Sequence, residues 1–267
     1  MIKISSVHNK KILKLRKLYK SRERKAADVF LVEGVKEVSR GIDSGFDLDS
    51  IYLCKEIFKD DIRDFISKII NDIPIYELEK SVYTKIAYRD NTEGIIALFR
   101  KKVFSLEDFK SYSGQQLFLV LESVEKPGNL GAILRTADAV GATAIILTET
   151  KVDQYHPNVI RSSIGAVFTI PVIVASNRET LQWLRKNNVK IYSAALPAYK
   201  NIYDLDLKNK IALTFGTESK GLSEFWLNNS NENYTIPMKG IVDSLNVSVS
   251  VAVSVYEVER QRQYDQL

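Results

Sequence analysis

The chain has 267 residues, 45% of them hydrophobic, with a net charge of +5, one cysteine and two histidines. No stretch approaches the roughly 18 consecutive apolar residues of a membrane span, and no apolar segment follows the basic N-terminus as in a signal peptide. Cys54 has no partner for a disulfide, and His8 and His156 are too few for a zinc-type cluster, so a soluble cytoplasmic protein without membrane or metal is expected.

The first element is charged. Residues 1–25 hold ten cations (Lys3, Lys10, Lys11, Lys14, Arg16, Lys17, Lys20, Arg22, Arg24, Lys25) against Glu23, a net +9 that leaves −4 for the other 242 residues. Ile12, Leu15 and Tyr19 recur at helical spacing, which predicts a helix with one apolar stripe and cations around the rest. Such a helix can dock on a core and present Lys10, Lys11 and Lys14 to a polyanion. A solvated charge run fits the same composition, and an anionic membrane is disfavoured because the apolar face lacks Trp or Phe. Salt separates these readings, since phosphate contacts make affinity fall steeply with ionic strength.

From residue 29 to about 100, short apolar segments alternate with amphipathic ones. Val29-Phe30-Leu31-Val32 reads as a strand, 35–42 as a helix ending near Gly45, Ile51-Tyr52-Leu53 as a strand and 57–70 as a helix. Pro74-Ile75-Tyr76, the segment 82–88 and Gly94-Ile95-Ile96-Ala97-Leu98-Phe99 complete an α/β unit of about a hundred residues, enough for a core of its own. Residues 101–115 read as a junction, with Ser105 capping toward Asp108 and a turn at Ser111-Tyr112-Ser113-Gly114.

The second pattern, 116–267, has longer apolar strands: 117–121, 144–147, 172–174, 189–194 and 211–215. Apolar runs without alternation suit parallel strands covered on both faces. Three loops at strand ends, where open α/β sheets bind ligands, carry the polar residues. The first contains Pro127-Gly128-Asn129-Leu130-Gly131 and, further on, Arg135. If Asn129 caps a helix, Arg135 lies six residues on and about 120° around the axis, so the two border one cleft without touching. A full G-x-G-x-x-G is absent here, and Phe215-Gly216-Thr217-Glu218-Ser219-Lys220-Gly221-Leu222 lacks Walker spacing. The third loop runs from Ile236 to Ser248 into a run of Val, Ser and Ala. Val247, Val249, Val251, Val253 and Val255 alternate with small residues, which by period is a strand signal, yet 247, 251, 255 and 258 also share one helical face.

Asn129-x-Gly131-x-x-x-Arg135, Phe215-Gly216-x-Glu218-x-x-Gly221-Leu222 and Ile236-Pro237-Met238-x-Gly240-x-x-x-Ser244-Leu245-Asn246-Val247-Ser248 resemble, in order, the three motifs of the SpoU (TrmH-like) branch of the SPOUT RNA methyltransferases. The similarity covers about 116–260. Phe30-Leu31-Val32-Glu33-Gly34 after a basic helix resembles the L30-like substrate-binding domain often joined to this catalytic domain.

The resemblance implies an α/β fold: a C-terminal SPOUT domain with a parallel sheet and a trefoil knot at 116–267, a linker at 101–115 and a smaller L30-like RNA-binding domain at 1–100. It implies S-adenosylmethionine as cofactor, held by the backbone at Gly216, Ile236 and Leu245, with Met238 lining the adenine pocket and 193–196 contributing. It implies a homodimer through the C-terminal domain, with the segment 247–256 as an interfacial helix. The reaction implied is methyl transfer to a ribose 2′-hydroxyl of RNA, 23S ribosomal RNA first, with tRNA or a non-catalytic ribosome-binding role as alternatives.

Among the residues that carry it, Arg135 orients ribose and phosphate, because arginine stays charged and is a demanding proton acceptor. Glu218 holds Arg135 or Asn129 in position and is the alternative acceptor. Asn129, Ser244 and Asn246 fix the hydroxyl and the cofactor by hydrogen bonds.

Overall fold

The computed structural model describes residues 1–59, 65, 73–88, 93–109, 114–196 and 198–264. Most of the helix expected at 57–70 and most of the turn at 111–114 lie outside these residues. The chain forms two compact units, Met1–Lys102 with Asp153–Thr169, and Val103–Val152 with Ile170–Leu267. The excursion Asp153–Thr169 therefore counts with the first unit, although the sequence pattern groups it with the second.

In the first unit, β1 (Ile2–Ile4) is followed by helices α1 (Lys10–Leu18) and α2 (Ser21–Ala26), then β2 (Val29–Glu33), α3 (Val35–Asp43), β3 (Leu48–Leu53), β4 (Ile75–Leu78), α4 (Lys80–Ile86) and β5 (Ile95–Arg100). The strands form one sheet in the order β1-β4-β3-β5-β2, parallel from β1 to β3 and antiparallel on either side of β5. α1 buries Ile12 and Leu15 and exposes its lysines, as its periodicity predicts, but the third buried residue is Leu18, and Tyr19 is the half-buried capping residue at its end. Arg24 departs from the expected solvent-facing set. It is 1% exposed, bonded through Nε to Asp153 and through Nη1 to the carbonyls of Leu18 and Tyr19. A buried guanidinium is tolerable when carbonyls and a carboxylate replace its water. The excursion is also held by a stack of Tyr155 on Phe30, ring centroids 4.0 Å apart.

The second unit is built on a seven-stranded sheet. Its strands are β6 (Leu117–Glu122), β7 (Ala144–Thr148), β8 (Val172–Ala175), β9 (Lys190–Ala194), β10 (Lys200–Asn201), β11 (Ile211–Phe215) and β12 (Glu232–Thr235). Their order is β10-β12-β9-β11-β6-β7-β8 and every pairing is parallel. β6, β7 and β11 are buried at every position, which is why their sequences read as near-continuous apolar runs. The chain steps outward from β6 through β7 to β8, then crosses to β9 on the other side. That reversal beside β6 is where an open parallel sheet leaves a crevice at its carboxyl ends.

Among the described residues the sheet is flanked by helices α5 (Pro127–Ala139), α6 (Asn177–Lys186), α7 (Glu224–Asn229) and α8 (Val247–Tyr264). The ambiguous valine run is helical. Val251, Val255 and Val258 are fully buried and α8 packs on α5. Alternation alone could not decide this, because the small residues between the valines are compatible with either period.

Candidate active site

The first loop leaves β6 through Ser123, which adopts a left-handed φ of 55°, and enters α5 at Pro127. Proline suits a first helical position because the amide hydrogen it lacks would be unbonded there. The capping position therefore falls on Lys126, and Asn129 sits inside the first turn rather than at the cap, its side chain free to reach out of the helix.

The second loop, between β11 and α7, is closed on itself. Thr217 and Gly221 exchange two backbone hydrogen bonds of 3.0 Å, and Lys220 N donates to Thr217 Oγ1. A Cβ at Gly216 would collide with the Gly221 carbonyl, so only glycine permits this closure. Glu218 stands in the loop between Thr217 and Gly221. In the third loop Asn246 accepts from Ser248 N at 2.9 Å through Oδ1, which leaves its Nδ2 to donate elsewhere.

These three loops converge on one carboxylate. Glu218 Oε1 accepts from Asn129 Nδ2 at 2.5 Å and from Asn246 Nδ2 at 2.6 Å, and Oε2 pairs with Lys126. An ionised carboxylate only accepts, so both amides turn their NH2 groups toward it. The hydrogen bond from Lys126, then that from Asn129, hold the Glu218 carboxyl below the usual carboxylate range. Lys126 escaped the sequence reading because a single lysine beside Pro127 makes no pattern. Its place in the first loop was the available signal.

Beside this cluster lies a cavity of about 470 Å³. Its wall includes all four residues expected on the cofactor side, Gly216, Ile236, Met238 and Leu245, and also Ala194, Ala195 and Leu196. Ser244 lines it too, exposed, and does not join the Asn129–Glu218–Asn246 cluster. Glu218 borders both. Tyr234, on a strand the sequence reading missed, forms part of the wall; it is fully buried, donates to Ser254 Oγ at 2.9 Å, and burial pushes its phenol well above the ordinary value.

Arg135 is exposed on α5 and has no hydrogen-bond or ion-pair partner among the described residues. Glu218 does not hold it; of the two alternatives only the bond to Asn129 forms. Lys10, Lys11 and Lys14 are exposed on α1 in the first unit, with the Lys11 ammonium 4.8 Å from the centre of the Tyr76 ring.

The cavity falls within the size range of small-molecule sites. Apolar Phe215, Leu222 and Met238 line it together with Glu218, Lys220 and Asp243. Such a wall suits a ligand with a flat base at one end and a zwitterion at the other, and S-adenosylmethionine is of this kind.

Comparisons with known proteins agree with this geometry. The model of the SpoU rRNA methylase family matches residues 116–256, and that of an MRM3-like substrate-binding domain matches 9–97. The 23S rRNA (guanosine(2553)-2′-O)-methyltransferase RlmP of Bacillus subtilis is 29% identical over 258 residues, 97% of this chain and 99% of its own. A crystal structure of an RNA 2′-O ribose methyltransferase superposes with a TM-score of 0.85 at 35% identity, covering 98% of this chain and all of the other. The S-adenosylmethionine-bound rRNA methyltransferase of Sinorhizobium meliloti gives 0.89 at 27% identity, covering 97% of each chain.

Proposed function

The chain belongs to the SpoU rRNA methylase family, and from that premise we propose that it is an S-adenosylmethionine-dependent enzyme that methylates a ribose 2′-hydroxyl of 23S ribosomal RNA. The observation that carries this reading is the meeting of Asn129, Glu218 and Asn246, from three loops, at the edge of the cavity.

When bound, the cofactor supplies a sulfonium methyl, which forms a new O–C bond to the ribose while the electron pair of the broken S–C bond returns to sulfur. Gly216, Ile236, Met238 and Leu245 would hold it, Met238 being the residue for the adenine pocket, and Ser244 would serve the cofactor side of the cavity. The attacking hydroxyl turns strongly acidic as its oxygen is alkylated, so its proton needs an acceptor within reach. Among the described residues Asn129 Oδ1 accepts one long hydrogen bond, 3.4 Å from Asn246 Nδ2, which leaves a lone pair to accept the O–H and aim the oxygen. Glu218 fixes both asparagines and is the carboxylate available to take the proton. Arg135, through the planar fork of its guanidinium, receives a phosphate next to the target ribose. Positioning by these groups supplies much of the rate.

The first unit brings the RNA, with Lys10, Lys11 and Lys14 facing phosphates. Two copies pair through the C-terminal domain. On α8 the face of Val251 and Val255 is used internally, so the partner meets the opposite face, where Val249 and Tyr256 are 45% and 57% exposed. No helix among the described residues is long and apolar enough to cross a membrane, and a ribosomal RNA substrate favours a cytoplasmic location.

The deciding experiment supplies methyl-labelled cofactor to the protein with unmodified 23S rRNA and with tRNA, followed by mapping of ribose methylation. Label in 23S rRNA is expected. Label in tRNA alone redirects the substrate, and tight cofactor binding without transfer to either RNA replaces the enzyme by a binding factor.

A further inference from the structure

Glu122, the last residue of β6, is outside all three motifs. It is 5% exposed, yet no cation pairs with it among the described residues. Its charge is met by three neutral donors. Asn177 Nδ2 and Ser223 Oγ reach Oε1, each at 2.7 Å, and Ser223 N reaches Oε2 at 2.7 Å. Asn177 is itself fixed by Trp226 Nε1, which donates to its Oδ1 at 2.8 Å, and Trp226 is fully buried. Burying a carboxylate is costly unless donors replace its water, and here they come from α6 and from the residue that follows the second loop.

The placement of Ser223 is informative. It occupies the capping position of α7 but makes no side-chain cap there, because its hydroxyl is turned to Glu122. Local helix chemistry favours the cap. What the chain gains instead is a fixed exit for the loop Gly216–Leu222, whose entrance is already set by the close approach of Gly216 to Gly221. Six of those seven residues line the cofactor cavity, and the same loop carries Glu218. Glu122 also ends the strand that leads into the first loop, so one carboxylate ties together the roots of two of the three site loops.

We propose that Glu122 is a positioning residue for the cofactor loop, holding Ser223 through two hydrogen bonds and thereby setting the affinity for S-adenosylmethionine. The inference rests on the cavity being the cofactor site. Glu122→Gln keeps the shape but turns an NH2 toward groups that donate. Unmade bonds to buried donors of this kind weaken cofactor binding about tenfold or more. Combining E122Q with N177D exchanges the two groups and restores complementarity. The carboxylate then stands on α6, where it accepts from Trp226 Nε1 and from the new amide on β6. Affinity is expected to return to within about threefold of wild type.

The test is calorimetric titration of S-adenosylmethionine and S-adenosylhomocysteine into the full-length protein and these variants, with melting curves to verify folding. A loss in E122Q with rescue in the exchange supports the proposal; a merely structural role predicts lower melting temperature with unchanged affinity, and overturns it. Should E122Q fail to fold, Ser223→Ala removes one bond alone and is expected to weaken binding about threefold; unchanged affinity there overturns the proposal as well. Absence of cofactor binding by the wild type would remove both the cofactor reading and this inference. Wild-type binding without RNA methylation removes only the proposed reaction.

Discussion

Glu218 Oε1 lies 2.5 Å from Asn129 Nδ2, although 89 residues separate them in the chain. With Asn246 donating to the same oxygen at 2.6 Å, the carboxylate fixes two amides that must present other atoms to substrate. Glu218→Gln places an NH2 where both asparagines donate. The turnover number is expected to fall about a hundredfold, the scale of a misplaced catalytic group, with cofactor affinity within about threefold of wild type. Single-turnover assays with calorimetry check this, and equal loss of both would place Glu218 in cofactor binding instead.

Lys126 is the leading cause of the lowered Glu218 carboxyl. A depressed carboxylate keeps its network above the ordinary value of 4.5 and loses it only as pH falls through the lower native value. Lys220 and Asp243 also line this cavity, but Lys126 is the ion-pair partner of Glu218 among the described residues. Lys126→Ala should therefore shift the acid limb of kcat/KM toward higher pH, and Lys126→Arg should restore it. An acid limb that does not move in Lys126→Ala would leave the lysine as a surface cation.

Arg135 is exposed on α5 with no hydrogen-bond or ion-pair partner among the described residues, so its removal unpairs none of them. Arg135→Ala is expected to lower methyl transfer about a hundredfold or more while cofactor binding persists. Filter binding and transfer assays on the same preparation separate the two. Lost cofactor affinity would move Arg135 to another role.

Neutralising Lys10 and Lys14, which lie on the exposed face of α1, should weaken RNA binding and flatten its dependence on salt. Each phosphate of single-stranded RNA that is no longer neutralised lowers the slope of log K against log salt by about 0.7. An unchanged slope returns α1 to a solvated face. Lys11 is the less clean probe, because its ammonium also sits over Tyr76.

His156 offers a check on stability. Burial, then the charge of Arg24, lowers its pKa from the ordinary 6.5, and its Nδ1 accepts from Asn158 N at 3.1 Å at the start of the helix Pro157–Ser162. The folded state favours neutral imidazole, so this contribution is present above pH 6.5 and declines as pH drops toward the lower native value. Melting should move down between about pH 7.5 and 5.5, the direction set by this linkage. His156→Ser keeps a neutral cap and should remove this share of the pH dependence.

Much of this molecule was legible in its residues. Strands buried on both faces announced themselves as near-continuous apolar runs, and 117–121 became β6 with one residue added. The motif loops could be located because Gly, Pro and Asn punctuate them between periodic segments. Period and composition are local properties, and these features depend on little else.

What only the tertiary structure decided is how polar atoms and helix faces are shared. The valines after Asn246 form a helix because α5 covers Val251 and Val255, a fact about another part of the chain. Arg24 reads as one more cation of a basic segment, but Asp153, 129 residues away, draws it inside. Ser244 and Asn246 are neighbours in one motif, yet Ser244 faces the cavity and Asn246 joins Glu218. Lys126 and Glu122 carry no motif at all. Their importance arises from hydrogen bonds spanning about a hundred residues, and such bonds depend on distances and angles that are fixed only once the sheet has brought the loops together.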